Sequence, residues 1–163
     1  MPTPELTAST RYIDPGVTKC YYVPTIAAAN LTPTRAELNA GTDLSREIAD
    51  LSGWTVTANQ VDTPDLKSTF TGKIPGRTEA ADSSLTLYAS VNGTDVRALL
   101  PRGTSGYIVW MDGGDVAGNK ADVYPIRVAS CSKVRTVSGT EAAKVMVSCA
   151  ITTQPAENVT VPA

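Results

Sequence analysis

The stretch Ala143-Lys144-Val145-Met146-Val147-Ser148-Cys149-Ala150-Ile151-Thr152 alternates with a period of two. Ala143, Val145, Val147, Cys149 and Ile151 share one face, and Lys144, Ser148 and Thr152 the other, as successive side chains of an extended strand do. Met146 and Ala150 make the second face only partly polar, which leaves room for a cover there too. Residues 121–134 upstream alternate in the same way, with Tyr124, Ile126, Val128 and Ser130 opposite Val123, Pro125, Arg127, Ala129 and Cys131. Pro125 has no backbone donor, so an edge position or a bend is expected there.

Working outward, residues 107–111 are nearly all apolar and read as a strand buried on both faces, followed by turn chemistry in Asp112-Gly113-Gly114-Asp115. Residues 84–91 place Leu85, Leu87, Ala89 and Val91 on one face, and residues 54–60 set Trp54, Val56 and Ala58 against Thr55, Thr57 and Asn59. Both read as half-buried strands. Residues 19–25 make a weaker first strand, for about six in all. Threonine (22) and valine (16) supply 38 of the 163 residues, and their stiff first torsions favour strands over helices. Two short segments read as helix. Thr34-Arg35-Ala36-Glu37 has capping-box spacing, and residues 95–100 stop at Pro101. Leu44, Ile48 and Leu51 stand at helical spacing but could equally pair into the sheet.

Composition narrows function. The chain has no histidine, which removes the commonest general acid–base group and metal ligand. Cys20, Cys131 and Cys149 are odd in number, far apart and without a C-x-x-C pair, so they read as small buried apolar residues. Gly103-Thr104-Ser105-Gly106 lacks nucleophile-elbow spacing and reads as a turn. Asp112, Asp115 and Asp122 fail the EF-hand pattern, and the carboxylate pairs Glu79/Asp82 and Asp62/Asp65 sit in polar stretches that would not raise a pKa. No catalytic residue, metal ligand or cofactor site is expected. A net charge of -2 points to neither a nucleic-acid glove nor a membrane surface, and Lys67, Lys73 and Arg77 are interspersed with acids rather than aromatics. No apolar run approaches the roughly 18 residues that cross a bilayer, so no membrane binding is expected. The N-terminus lacks a secretory pattern, so synthesis in the cytoplasm is expected and the three N-x-T sequons are chance matches.

One domain is expected over residues 1–163, with an N-terminal arm (1–18), a long loop (61–83) and a C-terminal arm (153–163). The loop is polar, carries Pro64, Gly72, Pro75 and Gly76, and isolates Leu66, Phe70 and Ile74. It holds the only phenylalanine, so a loop that orders against a neighbouring subunit is expected over a hairpin folded back on its own sheet. The C-terminal arm, with one charge and two prolines, is expected to fray or to lie against another surface.

Several landmarks then fall in order: Tyr21-Tyr22-Val23-Pro24-Thr25, residues 34–44, Ser52-Gly53-Trp54, Val61-Asp62-Thr63-Pro64-Asp65, Ile74-Pro75-Gly76-Arg77, Leu100-Pro101-Arg102-Gly103 and Pro155-Ala156-Glu157-Asn158. Together they span nearly the whole chain, which resembles the tail tube proteins of long-tailed phages that infect actinobacteria. The resemblance implies a mainly β fold, a β-sandwich or small barrel with one or two short helices and the long inter-strand loop. It implies no enzymatic activity, and a place in the virion tail after assembly in the host cytoplasm. The partners it implies are copies of the chain itself, joined into hexameric rings stacked as a hollow tube, other tail proteins at the tube ends, and DNA in transit during ejection. Leu66, Phe70, Ile74 and Arg77 are the residues expected at contacts between subunits or rings, and the inner wall is expected to hold more acid than base. The alternatives are a single-ring tail-completion or neck protein, and a monomeric β-sandwich binding or decoration module.

Overall fold

A computed structural model describes residues 2–163. It contains β1 (Lys19–Val23), α1 (Arg35–Asn39), β2 (Thr42–Asp43), β3 (Ile48–Ser52), β4 (Val56–Thr63), β5 (Gly72–Ala80), β6 (Ser83–Tyr88), α2 (Val96–Leu99), β7 (Ser105–Met111), β8 (Lys120–Val134), β9 (Lys144–Ile151) and β10 (Ala156–Thr160). Eight strands form one antiparallel sheet in the order β2-β1-β7-β8-β9-β6-β3, with β10 also on β8, while β4 and β5 pair only with each other. The fold is mainly β with two short helices, as expected.

The opening stretch is β9, and its alternation maps directly onto burial. Val145, Val147 and Cys149 are buried between Leu85 and Leu87 of β6 and Ile126 and Val128 of β8. The same cluster takes Cys20 and Tyr22 from β1 and Ile108 from β7, so the sheet rolls around it. A second cluster lies on the other face of β1, β7 and the first part of β8, where Val23, Val109, Met111 and Val123 pack under Leu38 of α1 and Val161 near the C-terminus. Burying an aliphatic side chain of this size stabilises by about 1.5–3 kcal/mol. The capping box forms as read, with the Thr34 hydroxyl accepting from the Glu37 N–H and the Glu37 carboxylate accepting from the Thr34 N–H.

β8 is long enough to change partners, and that explains Pro125. The strand pairs with β10 through Val123 and with β9 from Ile126, and the Pro125 carbonyl accepts from the Thr152 N–H between them. Pro125 is therefore buried inside the sheet, where its missing donor falls at the handover instead of at an edge. Beyond it a bulge between Val128 and Ser130 shifts the alternation by one, which moves Cys131 onto the inner face beside Val147. Cys131 therefore shares the face of Ile126 and Val128 instead of the opposite one that strict alternation gives, and is partly buried there.

Two open readings are decided and one further expectation is corrected. Of the two courses expected for the C-terminal arm, it takes the second and lies against the body: β10 pairs with β8 and Val161 is buried, with Arg35 donating to the Pro162 carbonyl. Val91 lies past the end of β6 in an exposed turn. Leu44, Ile48 and Leu51, at helical spacing but free to pair into the sheet, take the second course: β2 and β3 form there, and with β5 and β10 they bring the strands among the described residues to ten instead of about six.

Among the described residues no second layer covers the outer face of β3, β6, β9 and the second part of β8. Its registered rows are Ser52, Ser84, Ser148 and Ser130, then Asp50, Thr86, Met146 and Ser132, then Tyr88, Lys144 and Val134. Small hydroxyls dominate this face.

Candidate functional site: a hairpin held off the body

Residues 61–83 are not an irregular loop. With residues 56–60 they build a β-hairpin in which Val61 lies opposite Ile74 and Asp62 opposite Lys73. Beyond Val56, which packs against the core cluster at the root, residues 57–70 are exposed, and among the described residues β4 and β5 pair with no other strand. A strand of nine residues such as β5 spans about 30 Å. Pro75 is tolerated because a two-stranded sheet has only edges.

The root of the hairpin is built from β3, β6 and β8. Gly53 and Trp54 both adopt positive φ, 83° and 63°, and so turn the chain out of the body sheet between β3 and β4. A Cβ at Gly53 would sit 2.3 Å from the Asp82 carbonyl, so glycine is required there. Left-handed backbone is unfavourable for tryptophan, and the surroundings fix it. The Trp54 N–H donates to the Ser83 hydroxyl at 3.0 Å, its indole N–H to the Ser84 carbonyl at 3.1 Å, and the Tyr124 hydroxyl donates to its carbonyl. The indole stacks edge-to-face on Trp110 and Tyr124, with centroids 5.7 and 5.4 Å apart. Burial, with the charge of Asp122 beside it, pushes the Tyr124 phenol up to about 12, so it remains a donor at any physiological pH. The pattern places Trp54 in a half-buried strand, whereas it is the buried anchor before one. The dipeptide Gly53-Trp54 is the signal that could have shown this.

The tip is ordered by local side-chain acceptors. The Asp65 carboxylate accepts from the Lys67 and Ser68 N–H groups at 2.8 and 2.9 Å, and the Ser68 hydroxyl from the Phe70 N–H at 3.0 Å. Leu66 and Phe70 stand exposed on this tip. Ile74 stands on β5 beside Val61, both about half exposed, and Arg77 lies exposed where the register shifts between Gln60 and Ala58. The hairpin thus brings all four expected contact residues onto one element, and adds Val61, which period-two reading alone did not single out. On the opposite face Lys73 and Asp62 pair at 2.7 Å.

Two open clefts of about 590 and 570 Å³ flank the root, one against residues 149–155 and the other against Asp14, Asp112, Asp122 and Trp110. Burial, together with Asp122 and Asp14, raises the Asp112 pKa. Among the described residues no cluster of three metal-ligating side chains forms, and no helix is long and apolar enough to cross a membrane.

A family model described as phage tail tube protein matches residues 7–163. The chain belongs to the phage tail tube protein family. As a tail tube protein it is a structural, non-enzymatic component of the virion tail. Among solved structures, one chain of the anti-feeding prophage baseplate, determined by cryo-EM and six-fold symmetrised, is similar in fold. It covers 90% of this chain and 95% of its own length, with a TM-score of 0.53 and 11% identity. No curated protein matches the sequence.

Proposed function

We propose that the chain is the tail tube subunit of a long-tailed phage infecting an actinobacterium, and that copies assemble in the host cytoplasm into hexameric rings stacked as a DNA-conducting tube. The observation that carries this reading is the hairpin: in a member of the tail tube family, an element with Val61, Leu66, Phe70 and Ile74 exposed and no cover from its own chain. An isolated two-stranded hairpin is marginal in water, so contacts with other copies account for its apolar tip. Arg77, also exposed on the hairpin, supplies a charge to the same contact. The six-fold symmetry of the baseplate whose chain shares this fold supports six copies per ring. Other tail proteins close the tube ends.

The uncovered face of β3, β6, β9 and β8 suits the inner wall. It presents Ser52, Ser84, Ser130, Ser132, Ser148 and Thr86, with Met146, Tyr88 and Val134 toward one end and Asp50, Arg127 and Lys144 as its charges. A hydroxyl surface near electroneutrality offers DNA phosphates few ion pairs to release on passage. The wall so read relies on low charge, with one acid to two bases, whereas phosphate repulsion alone leads to the expectation of an acid excess.

Negative-stain electron microscopy of concentrated protein, with sedimentation alongside, tests the proposal. Hollow tubes or stacked rings are expected. Rings that never stack would indicate a neck protein, and a strict monomer, even with tail-tip proteins added, would overturn the reading in favour of a binding module.

A further inference from the structure

Asparagine occurs six times in the chain, and only Asn92 is followed by glycine. A side chain on the following residue crowds the approach of its backbone nitrogen to the asparagine side-chain carbonyl, and glycine has none. Asn92, Gly93 and Thr94 lie exposed in the turn between β6 and α2. A Cβ built on Gly93 would meet nothing within 4 Å, so the space around this peptide is open. The turn also forms a cradle: the Asn92 side-chain carbonyl accepts from the Thr94 N–H at 3.1 Å and from the hydroxyls of Ser90 and Thr94. Three donors thus converge on one amide oxygen. The Gly93 N–H is held only weakly, donating to the Ser90 carbonyl at 3.3 Å, longer than an ordinary N–H···O bond.

We propose that Asn92 is a self-modification site, at which the chain converts its own side-chain amide to an acid through a cyclic imide. The Gly93 nitrogen gives up its proton to hydroxide and forms a bond to the Asn92 Cγ. Negative charge develops on the carbonyl oxygen, where the three converging donors stabilise it as an oxyanion hole does. The bond from Cγ to the side-chain nitrogen then breaks, and ammonia leaves with a proton taken from water. Water opens the imide at either of its carbonyls, leaving aspartate at position 92 or isoaspartate, in which the main chain runs through the side chain. Each conversion adds one negative charge to a chain of net charge -2, in the turn where the Asp95 carboxylate already accepts from the Ser90 N–H. The corresponding acid–glycine pair, Asp112-Gly113, is more constrained. The Asn119 side chain donates to the Gly113 carbonyl at 2.8 Å and crowds the position that a Cβ would take there.

The test is to hold the folded full-length protein at mildly alkaline pH in water enriched in oxygen-18, then to map its peptides and treat them with an isoaspartyl methyltransferase. The peptide containing residue 92 is expected as two products of equal mass, each with one heavy oxygen in place of the amide nitrogen, and one of them accepting a methyl group. Gly93→Ala is expected to suppress both products. Because Gly93 has a φ of 78°, alanine strains the turn, so Thr94→Val serves as the second variant. It removes a hydroxyl and keeps the backbone donor, and is expected to slow conversion by about fivefold, the rate equivalent of one net hydrogen bond to the oxyanion. An unchanged unfolding midpoint for Thr94→Val checks that its fold is intact. An Asn92 amide that survives in the folded chain while the urea-unfolded chain converts overturns the inference, as does a parent rate in Thr94→Val. Conversion of Gly93→Ala at the parent rate, or isoaspartate arising first at Asp112, overturns it as well.

Discussion

β9 and β4 are both eight-residue strands with alternating sequence, yet they have opposite fates. β9 has a neighbour on each side, and its Val145 and Val147 are fully buried. β4 has one neighbour, β5, and of its residues only Val56 at the root is even half-buried. The comparison separates two properties that alternation confounds. A period of two fixes that a segment is extended and two-faced, but whether either face is covered depends on chain elsewhere, or on another molecule.

The largest effect is expected where the body is most closed. Leu85→Ala or Ile108→Ala removes a fully buried side chain from the shared cluster. Each should cost about 2–5 kcal/mol in chemical denaturation. A loss below about 1 kcal/mol would mean that the rolled sheet is loosely packed and would erase the contrast with the hairpin.

Next is the joint between the two regions. Gly53→Ala puts a methyl group against the Asp82 carbonyl at a left-handed position. It should destabilise by about 1–3 kcal/mol and re-aim the hairpin, read as faster proteolysis between residues 61 and 72 and as lost assembly. Normal tubes from this variant would show that the direction set by Gly53-Trp54 is irrelevant to assembly.

How far the sequence carried follows the same division. β9 was legible because its apolar alternation is the burial pattern, β7 because its apolar run is buried on both faces, β8 from the alternation of its length, and α1 because its cap is made of local side chains. The hairpin was misread because Gly72, Pro75 and Gly76 resemble loop punctuation. They are tolerated in β5 only because that strand has one partner and packs on nothing. β10 was hidden by the positive φ of Asn158 and the register shift between Ala156 and Val159, which break the alternation into two fragments. Cys131 was misplaced by a bulge that leaves no residue signature. At the candidate site the four residues Leu66, Phe70, Ile74 and Arg77 were legible as a group, through apolar residues in a polar stretch. The anchor at Trp54 was not, because its role depends on Ser83, Ser84, Trp110 and Tyr124, all distant in sequence.

A smaller effect belongs to the body's edge. Asp95 caps α2, and the Arg97 guanidinium beside it, with N–H donors from Ser90 and Arg97, holds its carboxyl well below the usual range although the side chain is buried. A carboxyl depressed in the folded state adds stability above its unfolded value, near 3.9, and that contribution is lost as pH falls below it. Asp95→Asn should cost about 1 kcal/mol at neutral pH and flatten the decline of stability between about pH 4 and 2. A variant with an unaltered acid profile would place the acid sensitivity elsewhere.

The smallest effect on the folded chain should be the largest on assembly. Phe70 is 78% exposed and touches no core cluster, so Phe70→Asp should leave the unfolding midpoint of the monomer within about 0.5 kcal/mol of the parent. The same substitution puts a carboxylate into an apolar contact, where an unpaired charge is strongly disfavoured, so tubes should disappear from micrographs and sedimentation should show monomers or unstacked rings. Leu85→Ala weakens assembly only by depleting folded subunits, so raising the protein concentration should restore it, whereas Phe70→Asp leaves every subunit folded and unable to stack. If Phe70→Asp instead lowers monomer stability and still builds tubes, its ring packs within its own chain. The hairpin would then belong to the body, and the difference between β4 and β9 would be one of degree.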